Sequence, residues 1–235
     1  MKGKLYLIPT TLGDFDTMEQ VLPGYNRQVL HGLTVFMVEN VRTSRRFIKK
    51  TGHPAPIDEM TFIEIGKHAT ISQAIADFKR FIKQDSVGLL SEAGTPCIAD
   101  PGALIVQAAH EDNIEVVSLV GPNSIILALM ASGFNGQRFA FHGYLPVDRK
   151  QLAQKIRNME NKVQKDGQTQ IFIETPFRNR QLYELLLRNC NPSTKLCIAV
   201  NLTLPGQMIR TLTIGAWKKQ TVDLNKKPAV FLISK

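Results

Sequence analysis

The chain has 235 residues, with 29 Lys+Arg against 20 Asp+Glu, a formal net charge of +9, and 43% hydrophobic and 21% charged residues. That length corresponds to one or two domains of about 150 residues and buries a core without disulfides or a structural metal, while the balance excludes a disordered or fibrous chain. Three cysteines with no CxxC pair exclude a disulfide framework and a zinc signature, and point to a reducing, cytoplasmic setting. In chain order, continuous apolar runs at 4–8, 33–38, 61–65, 87–91 and 115–120 predict strands buried on both faces of a parallel sheet. Helical patterns fit between them at 15–30, 41–51, 70–84 and 102–111, which is a βαβ rhythm. The second half gives strands at 139–145, 169–174, 195–202, 208–214 and 229–234, with long helices at only 148–164 and 178–189. Short links are expected between the last three strands, the first two forming a hairpin through Pro205-Gly206. The expected fold class is therefore α/β in two domains, 1–121 with a mostly parallel sheet and 122–235 with a mixed sheet. The N-terminal apolar run, stopped by Pro9, is too short for a signal-peptide core, and the stretch 125–131 is far below the roughly 20 residues of a membrane helix. No membrane partner is expected.

Arg42, Arg45, Arg46, Lys49 and Lys50 recur at i, i+3, i+4, i+7 and i+8, so a helix places all five on one face. A solvated surface helix and a footprint for phosphates both fit that spacing, and the cationic excess of the whole chain favours the second. Residues 191–235 add Lys195, Arg210, Lys218, Lys219, Lys226, Lys227 and Lys235, with Asp223 the only acid among them.

Ligands of open α/β sheets bind outside the carboxyl ends of the strands. The first strand is followed by Pro9-Thr10-Thr11-Leu12-Gly13-Asp14, the fourth by Ser91-Glu92-Ala93-Gly94-Thr95-Pro96, and the fifth by Gly121-Pro122-Asn123-Ser124. Small residues at three such ends let backbone approach a ligand closely. A branched side chain at Gly94 is expected to fill that ligand space without unfolding the chain. A Walker loop, GxGxxG, HExxH and GxSxG are all missing from the sequence, so phosphate-loop, metal and serine-hydrolase chemistry are not expected.

The strings LLSEAGTPCIADPG at 89–102 and VSLVGPNS at 117–124 resemble the tetrapyrrole methylase superfamily of S-adenosylmethionine-dependent methyltransferases. Gly143-Tyr144-Leu145-Pro146 and Phe172-Ile173-Glu174-Thr175-Pro176-Phe177-Arg178 add to the likeness, which runs over essentially the whole chain. Within the superfamily the chain most resembles the branch that 2′-O-methylates a cytidine of small-subunit ribosomal RNA. It departs from that branch's AEDTR with Val38-Glu39-Asn40-Val41-Arg42, from HN with His68-Ala69, and from ARELTK with 199–204, and it carries Glu92 for an Asp.

The resemblance implies two α/β domains with the cofactor, S-adenosylmethionine, in a cleft between them, and a homodimer. The implied donor site is Pro9, Ala93, Gly94, Thr95, Ile98, Asn123, Ser124 and Glu174. The substrate side includes Arg42 and Arg178, to which the helical spacing adds Arg45 and Arg46. Transfer to a ribose hydroxyl needs a group to take the proton, and Glu39, Glu92 and His68 are the candidates at strand ends. Glu39 ranks first because it ends the second strand just before the basic helix; a charge complementing that helix dipole is the competing account. The expected partner is ribosomal RNA or the small ribosomal subunit. A small-molecule methylase of the same fold and an RNA-binding relative without activity stay open as alternatives.

Overall fold

The computed structural model describes residues 3–13, 15–66 and 70–235, so His68 lies outside the described residues. The chain divides into two compact units, Met1–Asn123 and Ser124–Lys235.

In the first unit, β1 (Leu5–Ile8), β2 (Val35–Val38), β3 (Thr61–Glu64), β4 (Val87–Leu90) and β5 (Val116–Ser118) form one sheet in the order β3-β2-β4-β1-β5. Every pairing in it is parallel, as the continuous apolar runs predict. Alternate side chains of β2 show why both faces must be covered. Val35 and Met37 join Phe78 of α4 (Ile71–Phe81) and Ile105 of α5 (Ala103–Glu111) in one core cluster. Phe36 and Val38 join Leu30 of α2 (Gly24–His31) and Phe47 of α3 (Val41–Lys50) in another. Asn40 starts α3, its side chain accepting from the Thr43 N–H at 3.2 Å.

The helix expected over 15–30 is interrupted. A 3₁₀ turn (Phe15–Thr17) and α1 (Met18–Val21) end at Leu22, whose φ of −114° and ψ of 127° are extended. Pro23 is the cause: it disfavours helical backbone in the residue before it and then starts α2 afresh.

The second unit begins with α6 (Ser124–Ser132), a helix that sequence reasoning missed. Then come β6 (Phe139–Tyr144), α7 (Arg149–Asp166), β7 (Thr169–Glu174), α8 (Asn179–Asn189), β8 (Lys195–Val200), β9 (Met208–Thr213), α9 (Ile214–Trp217) and β10 (Ala229–Ser234). The sheet order is β6-β7-β10-β8-β9, with β6–β7 parallel and the other pairs antiparallel, a mixed sheet as expected. The β8–β9 hairpin pairs Lys195 with Thr213 through to Val200 with Met208.

The expected short link after that hairpin is wrong. Residues 214–228 carry α9 across one face of the sheet, where the indole of Trp217, 1% exposed, donates to Leu196 O at 2.8 Å. This crossover lets β10 enter between β7 and β8. All six β10 residues are buried there, which accounts for the apolar run of its first five.

Candidate functional site

Because the first sheet is parallel, the carboxyl ends of β1, β2, β4 and β5 share one edge. Backbone hydrogen bonds lock the β1 and β4 loops together: Thr10 N–H donates to Gly94 O at 3.0 Å, and Gly94 N–H donates back to Thr11 O at 3.3 Å. The buried Thr10 hydroxyl donates to Ser91 O at 3.3 Å, and the Ser91 hydroxyl donates to Gly94 O. The β5 loop closes on both. Asn123 Nδ2 donates to Thr95 Oγ1 at 2.7 Å, and a Cβ on Gly121 would stand 2.3 Å from the ring of Pro9. The structure therefore brings Pro9, Gly94, Thr95 and Asn123 to one place.

Gly94 takes a φ of +78°, and a Cβ there would lie 2.8 Å from both Leu12 Cδ2 and Pro122 O. A side chain at Gly94 would therefore strike the neighbouring loops. The expectation that it would fill ligand space in an intact fold is corrected: this glycine is required by the convergence itself.

Glu39 stands one residue before the cap of α3 and turns toward β4, where its Oε1 accepts from the Glu92 N–H at 3.3 Å. Asn40, not Glu39, satisfies the helix start. Burial raises the Glu39 pKa above the ordinary carboxylate value, and the neighbouring charges of Asp100 and Glu92 raise it further; the Glu92 N–H works against them. Asp100 lies close enough to hydrogen-bond the protonated form, and its own Oδ1 accepts from Gly102 N–H at 2.6 Å. The loop between Glu92 and Asp100 is strained, with the non-glycine residues Cys97 and Ala99 at φ 68° and 61°. Burial, with Asp100, pushes the Cys97 thiol up to about 11, so it is no nucleophile at neutral pH. Glu92, Ala93 and Ile98 are exposed along this loop, and Val120 is exposed on the next.

The basic face of α3 is less free than its spacing implies. Arg42, Arg46 and Lys49 are exposed. Arg45 instead pairs with Asp58 and lies over the Phe62 ring, 5.8 Å from its centroid, while Lys50 Nζ is 2.6 Å from Asp16. Neighbouring segments supply the opposite charge that α3 itself lacks.

In the second unit, the buried Glu174 ends β7. Its Oε1 accepts from Thr175 N–H at 2.7 Å, and its Oε2 lies 2.8 Å from Arg178 Nη2, an ion contact whose angles fall outside hydrogen-bond geometry. Arg178 also donates to Pro146 O at 3.4 Å, which gathers both family-like strings of this unit. Ser124 opens α6.

Sequence reasoning missed two residues of the first-unit edge. Asp100 sat within the quoted loop without a role. Asn26, 4% exposed, donates to Val120 O at 2.7 Å and ties α2 to the β5 loop. Its signal was legible, since a lone amide four residues from both Leu22 and Leu30 lies on an apolar stripe. Among the described residues no group of three His, Cys, Asp or Glu is placed to hold a metal ion, and no helix is long and apolar enough to cross a membrane.

The family model described as tetrapyrrole (corrin/porphyrin) methylases matches residues 24–217. The chain belongs to this family. It is 27% identical over 236 residues to the ribosomal RNA small subunit methyltransferase I of Escherichia coli O157:H7, covering 99% of this chain and 78% of that protein. It is 29% identical over 234 residues to the protein of the same name from Xylella fastidiosa (strain Temecula1 / ATCC 700964), covering 98% of this chain and 80% of the other. Among solved structures, diphthine synthase superposes with a TM-score of 0.66 at 12% identity, over 99% of this chain and 90% of that one, a likeness of fold.

This tetrapyrrole methylase is an S-adenosylmethionine-dependent methyltransferase. The first-unit edge fits that donor chemically. Ile98 and Val120 leave apolar surface exposed at this edge, and Ala93, also exposed, adds little side-chain bulk.

Proposed function

We propose that this methyltransferase modifies a ribose 2′-hydroxyl of small-subunit ribosomal RNA, in the cytoplasm. The observation that carries the reading is similarity over 98–99% of the chain to proteins named for methylating small-subunit ribosomal RNA, and the choice of the ribose hydroxyl rests on the resemblance of the sequence strings. The net charge of +9 supports it, since a polyanion is the partner that such a surface attracts.

Pro9, Ala93, Gly94, Thr95, Ile98 and Asn123 would hold the donor. When bound, S-adenosylmethionine supplies an electrophilic methyl group and a neutral thioether as leaving group. Glu39 is the proposed base. Its raised proton affinity makes it a stronger acceptor for the hydroxyl proton than an ordinary carboxylate, and the Glu92 N–H holds its orientation. Asp100 and Glu92 keep that affinity high as positioning groups. The exposed Arg42 and Arg46 meet the RNA backbone, and Arg178 stands on the substrate side.

Unmethylated small ribosomal subunits incubated with donor labelled on the methyl group test this. Label in the RNA is expected. Label only on a tetrapyrrole-like acid would transfer the reading to a small-molecule methylase, and donor binding without transfer would point to an inactive relative.

A further inference from the structure

We infer that the carboxyl edge of β6 and β7 is a stacking platform for unpaired RNA bases, built from Tyr144 and Phe177 with Val147 beside them. The inference rests on the ribosomal RNA reading and gives the substrate a second contact surface on this chain. These three side chains are 61%, 80% and 72% exposed. Large apolar groups left in water together mark an interaction surface, and two of these are aromatic.

Their placement follows from the fold. β6 and β7 are the parallel pair of the second sheet, so their carboxyl ends point the same way, the edge at which α/β sheets bind ligands. The β6–β7 register slips between Phe141 and Tyr144, with Gly143 at φ +63°. An irregularity of this kind re-aims the following side chain out of the regular alternation. Tyr144 pairs with Ile173, and the turn after β7 carries Phe177. Arg178 bridges the two loops through Pro146 O.

Charge selects the occupant. Exposed Arg149 and Lys150 open α7 beside Val147, and Arg178 follows Phe177. Arg178 is paired with the buried Glu174, 2.8 Å away, so Arg149 and Lys150 carry the charge of the rim; the exposed acid beside them, Asp148, is engaged in capping α7, accepting from Lys150 N–H at 3.1 Å and Gln151 N–H at 2.9 Å. Exposed aromatics within a cationic rim match a single strand, whose bases stack on ring faces while its phosphates meet the cations. A lipid surface or a second copy of the chain would use the same rings without needing unpaired bases.

The test measures binding of a fluorescent, unstructured 12-residue ribo-oligonucleotide, and of its duplex, to the full chain across salt concentrations. Phe177→Ala and Tyr144→Ala are each expected to weaken single-strand binding about tenfold. The slope against salt should stay unchanged, because no cation is removed. Phe177→Trp should keep the affinity, and its emission should be quenched by the single strand and not by the duplex; native Trp217 is buried and silent to this contact. Unchanged affinity in both alanine variants would overturn the platform. So would loss of self-association in the variants, seen by sedimentation, or loss of binding to anionic vesicles, with RNA binding intact. If the unaltered chain methylates ribosomal RNA while the variants bind and react normally, only the platform fails. If the unaltered chain neither binds nor methylates RNA, the ribosomal RNA reading itself fails.

Discussion

The strand ends of the two sheets are held in different ways. In the first unit, five parallel strands end at one edge, and the β1 and β4 loops are fastened by a reciprocal pair of backbone bonds, Thr10 with Gly94 and Gly94 with Thr11, to which the Thr10, Ser91 and Asn123 side chains add. In the second unit β6, β7 and β8 end at one edge, and side chains hold the β6 and β7 loops, with Arg178 reaching both Glu174 and Pro146 O. A backbone-built edge is rigid and tolerates little change, which suits the fixed placing of a donor and a base. A side-chain-built edge leaves aromatic surface exposed and adaptable, which suits a flexible polymer. Substitutions that respect or violate this difference test it.

The largest effect is expected at Glu39. Glu39→Gln keeps an oxygen for the Glu92 N–H and removes the base, so kcat should fall by about 10²- to 10⁴-fold while calorimetric donor affinity stays the same. Stability should move the opposite way. A carboxyl whose folded pKa is raised loses stability as pH rises above the ordinary carboxylate value of 4.5, so the neutral amide removes a penalty near pH 7. Activity within a few-fold of the unaltered enzyme would remove Glu39 from the mechanism.

Next are two glycines, one in each unit. Gly94→Ala puts a methyl group 2.8 Å from two loops at a φ of +78°, and should cost about 3 kcal/mol, with donor binding lost alongside. Gly167→Ala, at φ +61° after α7 with nothing within 4 Å of its Cβ, should cost only about 1 kcal/mol. Urea titrations of both variants compare the regions directly, and equal costs would contradict the distinction.

Arg42→Ala with Arg46→Ala removes two exposed cations from α3. RNA affinity should fall and the log–log salt slope should flatten by about 1 to 1.5, with stability changed by no more than about 0.5 kcal/mol. Arg45→Ala should behave in reverse. It breaks the Asp58 pair and the Phe62 contact, so it costs about 0.5–1 kcal/mol with less effect on RNA. An unchanged slope in the double variant would return α3 to a merely solvated face.

The smallest effect is in pH dependence, with one histidine in each unit. Burial first, then the His53 ring, lowers the pKa of His31; burial first, then Lys155 and Lys162, lowers that of His142. Each holds a proton less readily in the fold than in the unfolded chain. Stability should therefore fall as pH drops below about 6.5 and level off below the lowered folded values. His31→Gln and His142→Gln should each flatten that slope by less than one proton, read from denaturation midpoints between pH 5 and 8.

Much of the fold was legible because burial writes itself into the chain as unbroken apolar runs, as at β2 and β4. The helix α6 was missed for the same reason. Its sequence, SIILALMAS, lacks a polar face, so no helical period stood out, and it read as a boundary between domains. The place of β10 was hidden because pairing order is set by the crossover through α9, which leaves no local pattern. At the site, the loops were visible as small residues at strand ends, whereas the fastening of one loop to another is a relation between distant residues. That is why Asn26 and Asp100 went unassigned, and why Arg45 and Lys50 looked free when Asp58 and Asp16 neutralise them from other segments.

The central claim is that this chain places one methyl group on a ribose of small-subunit RNA, using Glu39 at the parallel edge. Nuclease digestion and mass spectrometry of small-subunit RNA, from cells making the unaltered chain, the Glu39→Gln variant or neither, tests it most directly. The account predicts one ribose-methylated nucleotide present only with the unaltered chain. Identical RNA in all three, or a methyl group on a base, would contradict it.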